Sequence, residues 1–371
     1  LTMVQNGKLT VNNVWLGGSM SYGEVDTING YGAKVLQLGP STGVKELAVT
    51  NSVIDMSAGS GLVATGASVN AIAAIIDLTA AISVATSITA SNCSIRGKYS
   101  SAAGTVDLHI LNAQNTLTAG TLTIADSGVA TATPVIQNGP VTFTGAVSNT
   151  IIVISKLICG DSNKLALACI QFASTVTGGS IDINGVSRAI SGTDVGSYYG
   201  VYFVGAVSGT SPLSVKGVAL TLSITAALAD VNVYAVHFQS TVAGSGAVGS
   251  ALNCSENSIS GSVSTSPGYI YLWMIHFQNA VSAFEHVELS GNSMAGVSAV
   301  ASAGSNVVML RFQSTVTLTG TAASSIVARS NSMKGMTAQS STEYVQLIVV
   351  HFSWSAAPAT QVSNIIVDGA D

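Results

Sequence analysis

Apolar and polar positions alternate through much of the chain. In "VHFQSTV", Val236 to Val242, one parity carries Val236 and Phe238 and the other His237 and Gln239. The period is two, and the recurring residues are Val, Ile, Thr, Ser and Phe, which is strand chemistry. Long stretches of period 3.6 are missing. Lys, Glu and Arg, the usual exposed helix formers, are scarce. The pattern predicts short strands, with Val236 and Phe238 turned to a core and His237 turned outward.

The same short stretch returns. "IHFQNAV" starts at Ile275, "LRFQSTV" at Leu310 and "VHFSWSA" at Val350, with weaker copies "IQFASTV" from Ile170 and "VYFVGAV" from Val201. The phenylalanines Phe172, Phe203, Phe238, Phe277, Phe312 and Phe352 are 31, 35, 39, 35 and 40 residues apart. A second motif falls between them: "NSISG" from Asn257, "NSMAG" from Asn292 and "NSMKG" from Asn331, with relatives at Asn13, Asn51, Cys93, Arg188 and Asn364. The chain therefore repeats every 31 to 42 residues, roughly ten times.

A recurring unit of this size means a solenoid or a propeller. Propeller blades carry four-strand hairpin patterns with repeated anchors, and no such anchor recurs here. A parallel β-helix tolerates drifting spacing, because extra residues bulge at its corners. It also stacks like on like, Phe over Phe inside and Asn over Asn at a turn. The expected fold is all-β, a parallel β-helix (β-solenoid) of roughly ten repeats over 1–371. Each repeat is either one wide coil or two narrow ones. Polar capping repeats are missing: "LTVNNVWLGG" is in phase by Asn13 and "VSNIIVDGAD" is still in phase at Asn364. A single elongated domain is expected, either a segment of a longer chain or a subunit that stacks end to end.

Composition narrows the setting. Charged residues make up 8% of the 371, against about 25% in ordinary soluble proteins. The longest apolar window, from Val69 to Ile88, carries Asp77 at its middle, so it reads as buried strands, with no membrane span expected. Net charge is −5 with no basic patch, which argues against nucleic acid as a partner. A surface made of Ser, Thr, Asn and Gln suits a crowded, packed or glycosylated environment.

The four cysteines form no CxxC pair, so a zinc site is not expected. Cys159 and Cys169 flank a short segment and are candidates for a disulfide, or else small buried residues of a ladder. Asn92-Cys-Ser and Asn253-Cys-Ser are the two glycosylation sequons.

The elements "LNCSENSISG" and "GNSMAG", set in coils rich in Ser, Thr, Ala and Val, resemble the dispersed-gene-family surface proteins of trypanosomatids and other proteins with pectin-lyase-like β-helices. The resemblance covers most of the chain and lies in repeat style. It implies an extracellular, adhesive or coat-forming protein, tethered or shed, and it transfers no functional residue.

Candidate chemistry is sparse. His237, His276 and His351 share one repeat position, with Arg311 in the copy between the last two. They are expected to form an outward, solvated ladder beside Gln239, Gln278 and Gln313. Arg311 argues against a metal column, since it offers no lone pair. Glu285, His286 and Glu288 form the densest titratable cluster, expected on a polar outer face. β-Helix enzymes that cleave polysaccharides need convergent carboxylates with a base. Here Asp55, Asp77, Asp107, Asp126, Asp161, Asp182, Asp194 and Asp230 are spread almost singly. Thr-x-Thr triplets at Thr116, Thr121, Thr142 and Thr317 raise ice binding, but no triplet recurs at one repeat position. The favoured reading is a non-catalytic extracellular structural or adhesive solenoid forming a coat, stalk or filament. Its expected partners are its own copies or neighbouring solenoid segments, and glycans, and no cofactor is implied. A polysaccharide-binding or polysaccharide-cleaving β-helix is the alternative, and ice binding the third.

Overall fold

The computed structural model describes residues 7–22, 32–39, 44–64, 70–82, 87–101, 105–118, 120–132, 139–161, 168–193, 196–226, 230–319, 324–353 and 364–368. The described residues are strands, turns and bends, without a helix, and the strand pairings among them are parallel. The chain divides into two compact units, Leu1–Ala173 and Ser174–Asp371.

In the second unit every repeat returns to the sheet that the previous one left. Gly196–Phe203, Val231–Phe238, Tyr269–Phe277, Gly304–Phe312 and Val345–Phe352 pair in that order. The short strands Val176–Thr177, Val207–Ser208, Val242–Ala243, Val281–Ser282 and Val316–Thr317 pair likewise. A third parallel sheet begins with Ser180–Gly192 and Leu213–Ala226 and continues through Ala251–Asn253 and Ser258–Thr265. Each strand thus pairs with its equivalents one repeat along, and the third sheet takes one long strand or two short ones from a repeat, so each repeat is one circuit and not two. This arrangement is consistent with the expected parallel β-helix.

The register explains why the motif recurs. Phe203, Phe238, Phe277, Phe312 and Phe352 lie over one another with ring centroids 4.7 to 5.0 Å apart, the spacing of adjacent strands. Val176, Val207, Val242, Val281 and Val316, the valines of the "STV" ending and its variants, form a second buried column. Burying such side chains is worth about 2–3 kcal/mol each, and it drives the stacking.

The first unit is built the same way. Lys34–Leu38, Asn70–Leu78, Thr105–Ala113, Val141–Phe143 and Ala168–Phe172 pair in parallel. Phe143 stacks on Phe172 at 4.6 Å. Cys159 and Cys169 are joined by a disulfide, while Cys93 and Cys254 are free and buried.

A corner recurs in each unit. Asn13, Asn51, Asn92, Asp126 and Lys156 all have φ between 47° and 58°, and Gly185, Gly217, Glu256, Gly291 and Ser330 between 53° and 75°. Left-handed backbone suits Gly and Asn. The backbone N–H of Asn13, Asn51 and Asn92 each donates to a carbonyl of the next repeat at 3.0 to 3.1 Å. The Asn of the second motif stands one residue past this corner, at Asn257, Asn292 and Asn331, the place Cys93 takes in the first unit. The expected kinship of Asn13 and Asn51 with that motif is therefore shifted by one residue.

Candidate functional site

The expected ladder exists in register: Tyr202 pairs with His237, His237 with His276, His276 with Arg311 and Arg311 with His351. It lies on the side of its sheet opposite the Phe column, but its first two histidines are not solvated, while Arg311 and His351 are partly exposed. His237 and His276 are 4% and 3% exposed. The ladder is covered because strict alternation breaks. The pairing skips Gly200, Ala235, Met274 and Met309, one residue in each successive strand. That break brings side chains three apart onto the same face. Tyr199 stacks on Tyr202 at 4.1 Å, Tyr234 on His237 at 4.4 Å, and Trp273 lies 4.8 Å from His276. His237 is thus walled by rings on both sides and beside it, and His276 by His237 on one side and Trp273 beside it, with Arg311 at the next register position.

Burial sets the electrostatics of this face. It pushes His237 down to about 4 and, with His237 and Arg311 adding repulsion, His276 down to about 3. His276 Nε2 meets Gln313 Oε1 at 3.1 Å, and the Tyr202 hydroxyl donates to Gln239. Burial likewise raises Tyr199, Tyr202 and Tyr234, so their hydroxyls stay protonated. Arg311 is the cation of this face. Its guanidinium carbon lies 5.0 Å from the Trp273 ring centroid.

The ladder position continues in the first unit, where the sequence reading missed it. Gln37 pairs with Asp77, Asp77 with Asn112, Asn112 with Thr142 and Thr142 with Gln171. The signal was a polar residue directly before each inward Leu78, Ala113, Phe143 or Phe172. Here the acids are not scattered. Asp77, with no exposed surface, is 2.7 Å from Lys34 Nζ and accepts from Asn112 Nδ2 at 3.0 Å and Gln114 Nε2 at 2.9 Å. Asp107 and His109 are buried beside them. Burial holds His109 below its ordinary value, opposed by Asp107 and Asp77, and its Nδ1 is 2.9 Å from the Gly139 carbonyl. Two acids and two bases therefore meet across neighbouring repeats, but enclosed and engaged with one another.

The Glu285 cluster also differs from expectation. Glu285 is 6% exposed and accepts from the Gly249 N–H at 2.6 Å, so it points inward with Val287. His286 is exposed and reaches Ser325 Oγ at 3.2 Å, and Glu288 sits between Asn253 and Val327 in the ladder. Of the sequon asparagines, Asn92 stands at an exposed corner with its Nδ2 donating to Asn51 at 2.8 Å. Asn253 lies mid-sheet between Ser214 and Glu288. Asp161 and Asp194 have side chains outside the described residues. Among the described residues no cluster of three His, Cys, Asp or Glu side chains is arranged to hold a metal. No described helix is long and apolar enough to cross a membrane.

Hydroxyl rows do align across repeats once Ser is read as equivalent to Thr. Thr121 and Thr123 pair with Ser87 and Thr89, and Thr221, Ser223 and Thr225 with Ser260, Ser262 and Ser264. A search for identical triplets could not see this. Comparison with known families, curated proteins and solved structures finds no match for this chain.

Proposed function

We propose that the chain is a parallel β-helix that serves as a non-catalytic structural or adhesive element, outside the cell or at its surface. The observation that supports this reading is the unbroken Phe203–Phe238–Phe277–Phe312–Phe352 column, in which identical side chains repeat at strand spacing. Such stacking makes a stiff scaffold and leaves its outer faces to weak, repeated contacts. The low charge and the rows of Ser and Thr hydroxyls fit contact surfaces better than a reaction centre. The convergence of two acids with two bases around Asp77 is buried against Lys34 and offers a substrate no approach.

End-on association belongs to the same reading. Leu347, Ile365 and Val367 continue columns whose previous members Val307, Ile326 and Ala328 are buried, yet they are about half exposed. A further repeat, from a second copy or a neighbouring solenoid segment, would cover them and pair with the free strand edges.

Electron microscopy of the purified chain, together with its retention on matrix-coated surfaces, tests this reading. Elongated particles that adhere and release no sugar ends from a polysaccharide panel are expected. Turnover of a polysaccharide that disappears in Asp77→Asn would overturn it in favour of the enzyme.

A further inference from the structure

Along the ladder of the second unit, Arg311 stands out as a half-buried cation without an anion. Charges withdrawn from water are normally paired. Lys8, Lys34, Arg96 and Lys156 each have a carboxylate within 3.1 Å. Arg311 has none among the described residues, and its enclosed Nε meets no acceptor. Its guanidinium carbon lies 5.0 Å from the centroid of the Trp273 ring. The segments 320–323 and 354–363 contain no Asp or Glu, and Asp371 lies outside the described residues.

The surroundings of Arg311 are also incomplete. The indole Nε1 of Trp273, a residue 7% exposed, has no acceptor, and the enclosed Oδ1 of Asn306 has no donor. Trp273 pairs with Val308 and Tyr271 with Asn306, so these groups occupy adjoining rows of the face that carries Arg311. Tyr234, Tyr271 and Tyr344 lie close enough for their hydroxyls to feel its charge. Two carboxylates flank the starts of these strands, and Tyr269 engages both. Its hydroxyl donates to Glu343 Oε2 at 2.6 Å and its N–H to Asp230 Oδ1 at 2.9 Å.

We propose that Arg311 is the anion-binding centre of a site for an acidic glycan. The planar guanidinium matches the two oxygens of a sugar carboxylate, a fork that a lysine lacks. Tyr271 and Tyr344 supply ring surface beside the charge, and the enclosed Trp273 indole N–H and Asn306 amide oxygen are an unused donor and acceptor that a side-chain shift would open to sugar hydroxyls. Aromatic walls with a few placed polar groups suit a hydroxylated ring better than an acidic peptide. The site gives the adhesive reading a ligand class and rests on it.

The test is binding of the full chain to immobilised polygalacturonate, to its fully methyl-esterified form and to poly-glutamate. Binding to polygalacturonate is expected, with a loss of about tenfold or more on esterification and in Arg311→Gln, a smaller loss in Arg311→Lys, and none in the exposed control Arg329→Gln. Melting curves of the three variants separate lost binding from lost folding. Arg311→Lys keeps the charge, so a folded but weakened Lys variant supports the fork. No binding to the acid form, equal binding to the ester, or binding unchanged in both Arg311 variants overturns the site. Equal or tighter binding to poly-glutamate overturns the glycan in favour of an acidic peptide. Any of these failures leaves particle shape and surface retention untouched, so the adhesive reading is judged separately.

Discussion

Asn257 and Asn292, one repeat apart, share a buried amide ladder. Nδ2 of Asn257 donates to Oδ1 of Asn292 at 3.0 Å, and the Asn257 backbone N–H donates to the same oxygen at 3.1 Å. Asn292 repeats both bonds with Asn331, at 3.1 and 3.0 Å. Its Nδ2 also donates to the Leu289 carbonyl at 2.9 Å. One side chain thus serves backbone and side-chain groups of three repeats at a turn that water does not reach. Asn292→Ala is expected to cost about 3 kcal/mol, since several buried groups lose partners at once. Asn292→Asp is expected to cost more at neutral pH, because an oxygen then faces the Asn331 oxygen and the Leu289 carbonyl, and to recover partly on acidification. Denaturant unfolding at two pH values checks both. A tolerant Ala variant would mean that water reaches this turn.

Phe277 lies between Phe238 and Phe312, at 5.0 and 4.9 Å, with rings nearly parallel. Phe277→Ala should cost about 3–5 kcal/mol, from lost burial and from a gap that parallel strands on both sides cannot close. Phe352, which is partly exposed, should cost clearly less. Equal losses at the two positions would show that the column is not cooperative in this way.

Lys34 and Asp77 form the enclosed ion pair of the first unit. Removing one partner strands the other, so Lys34→Met should cost about 3–5 kcal/mol. Replacing both with apolar residues of similar volume removes the stranded charge. The double variant Lys34→Met with Asp77→Leu should therefore be more stable than Lys34→Met alone. If the single and the double lose equally, Asp77 is held by Asn112 and Gln114 and the lysine is incidental.

Much of this architecture was legible in the residues. The recurrence of "HFQ" and "NS" marked positions that stack on themselves, because parallel pairing in register puts like over like. The parity of Val236 and Phe238 gave the inward face. What parity could not give was the break at Gly200, Ala235 and Met274, since nothing in those three residue types announces a skipped pairing. That break decides the site, because it lays Tyr234 beside His237 and buries a ladder that simple alternation would leave in water. The Asp77 cluster was hidden for a different reason. Lys34, Asp77 and His109 belong to repeats whose motif has decayed, and only the register shows that they meet. The pairing of Arg311 with Trp273 was invisible in the same way, as the two lie on different strands and are not directly opposite.

The burial of the histidine ladder makes acid stability the sharpest test of that break. An exposed row would titrate near 6.5 and change stability little. In the fold His237 is pushed down to about 4 and His276 to about 3, by burial first and, for His276, by the charges of His237 and Arg311 as well. Both are bases whose folded pKa lies below the unfolded value, so the native state favours the neutral form. Their contribution is complete above about pH 6.5, and it is lost as pH falls from there through 4 toward 3, because the unfolded chain takes up protons that the fold refuses. A tenfold change in proton affinity corresponds to about 1.4 kcal/mol, and two coupled histidines amount to several kcal/mol across this window. His276→Gln is expected to flatten the acid limb of the stability profile between pH 6 and 3. The measurement is denaturant unfolding across that range, followed by tryptophan fluorescence, to which Trp273, whose ring lies beside His276, contributes. An acid limb identical in wild type and His276→Gln would mean that the ladder protonates freely and faces solvent after all.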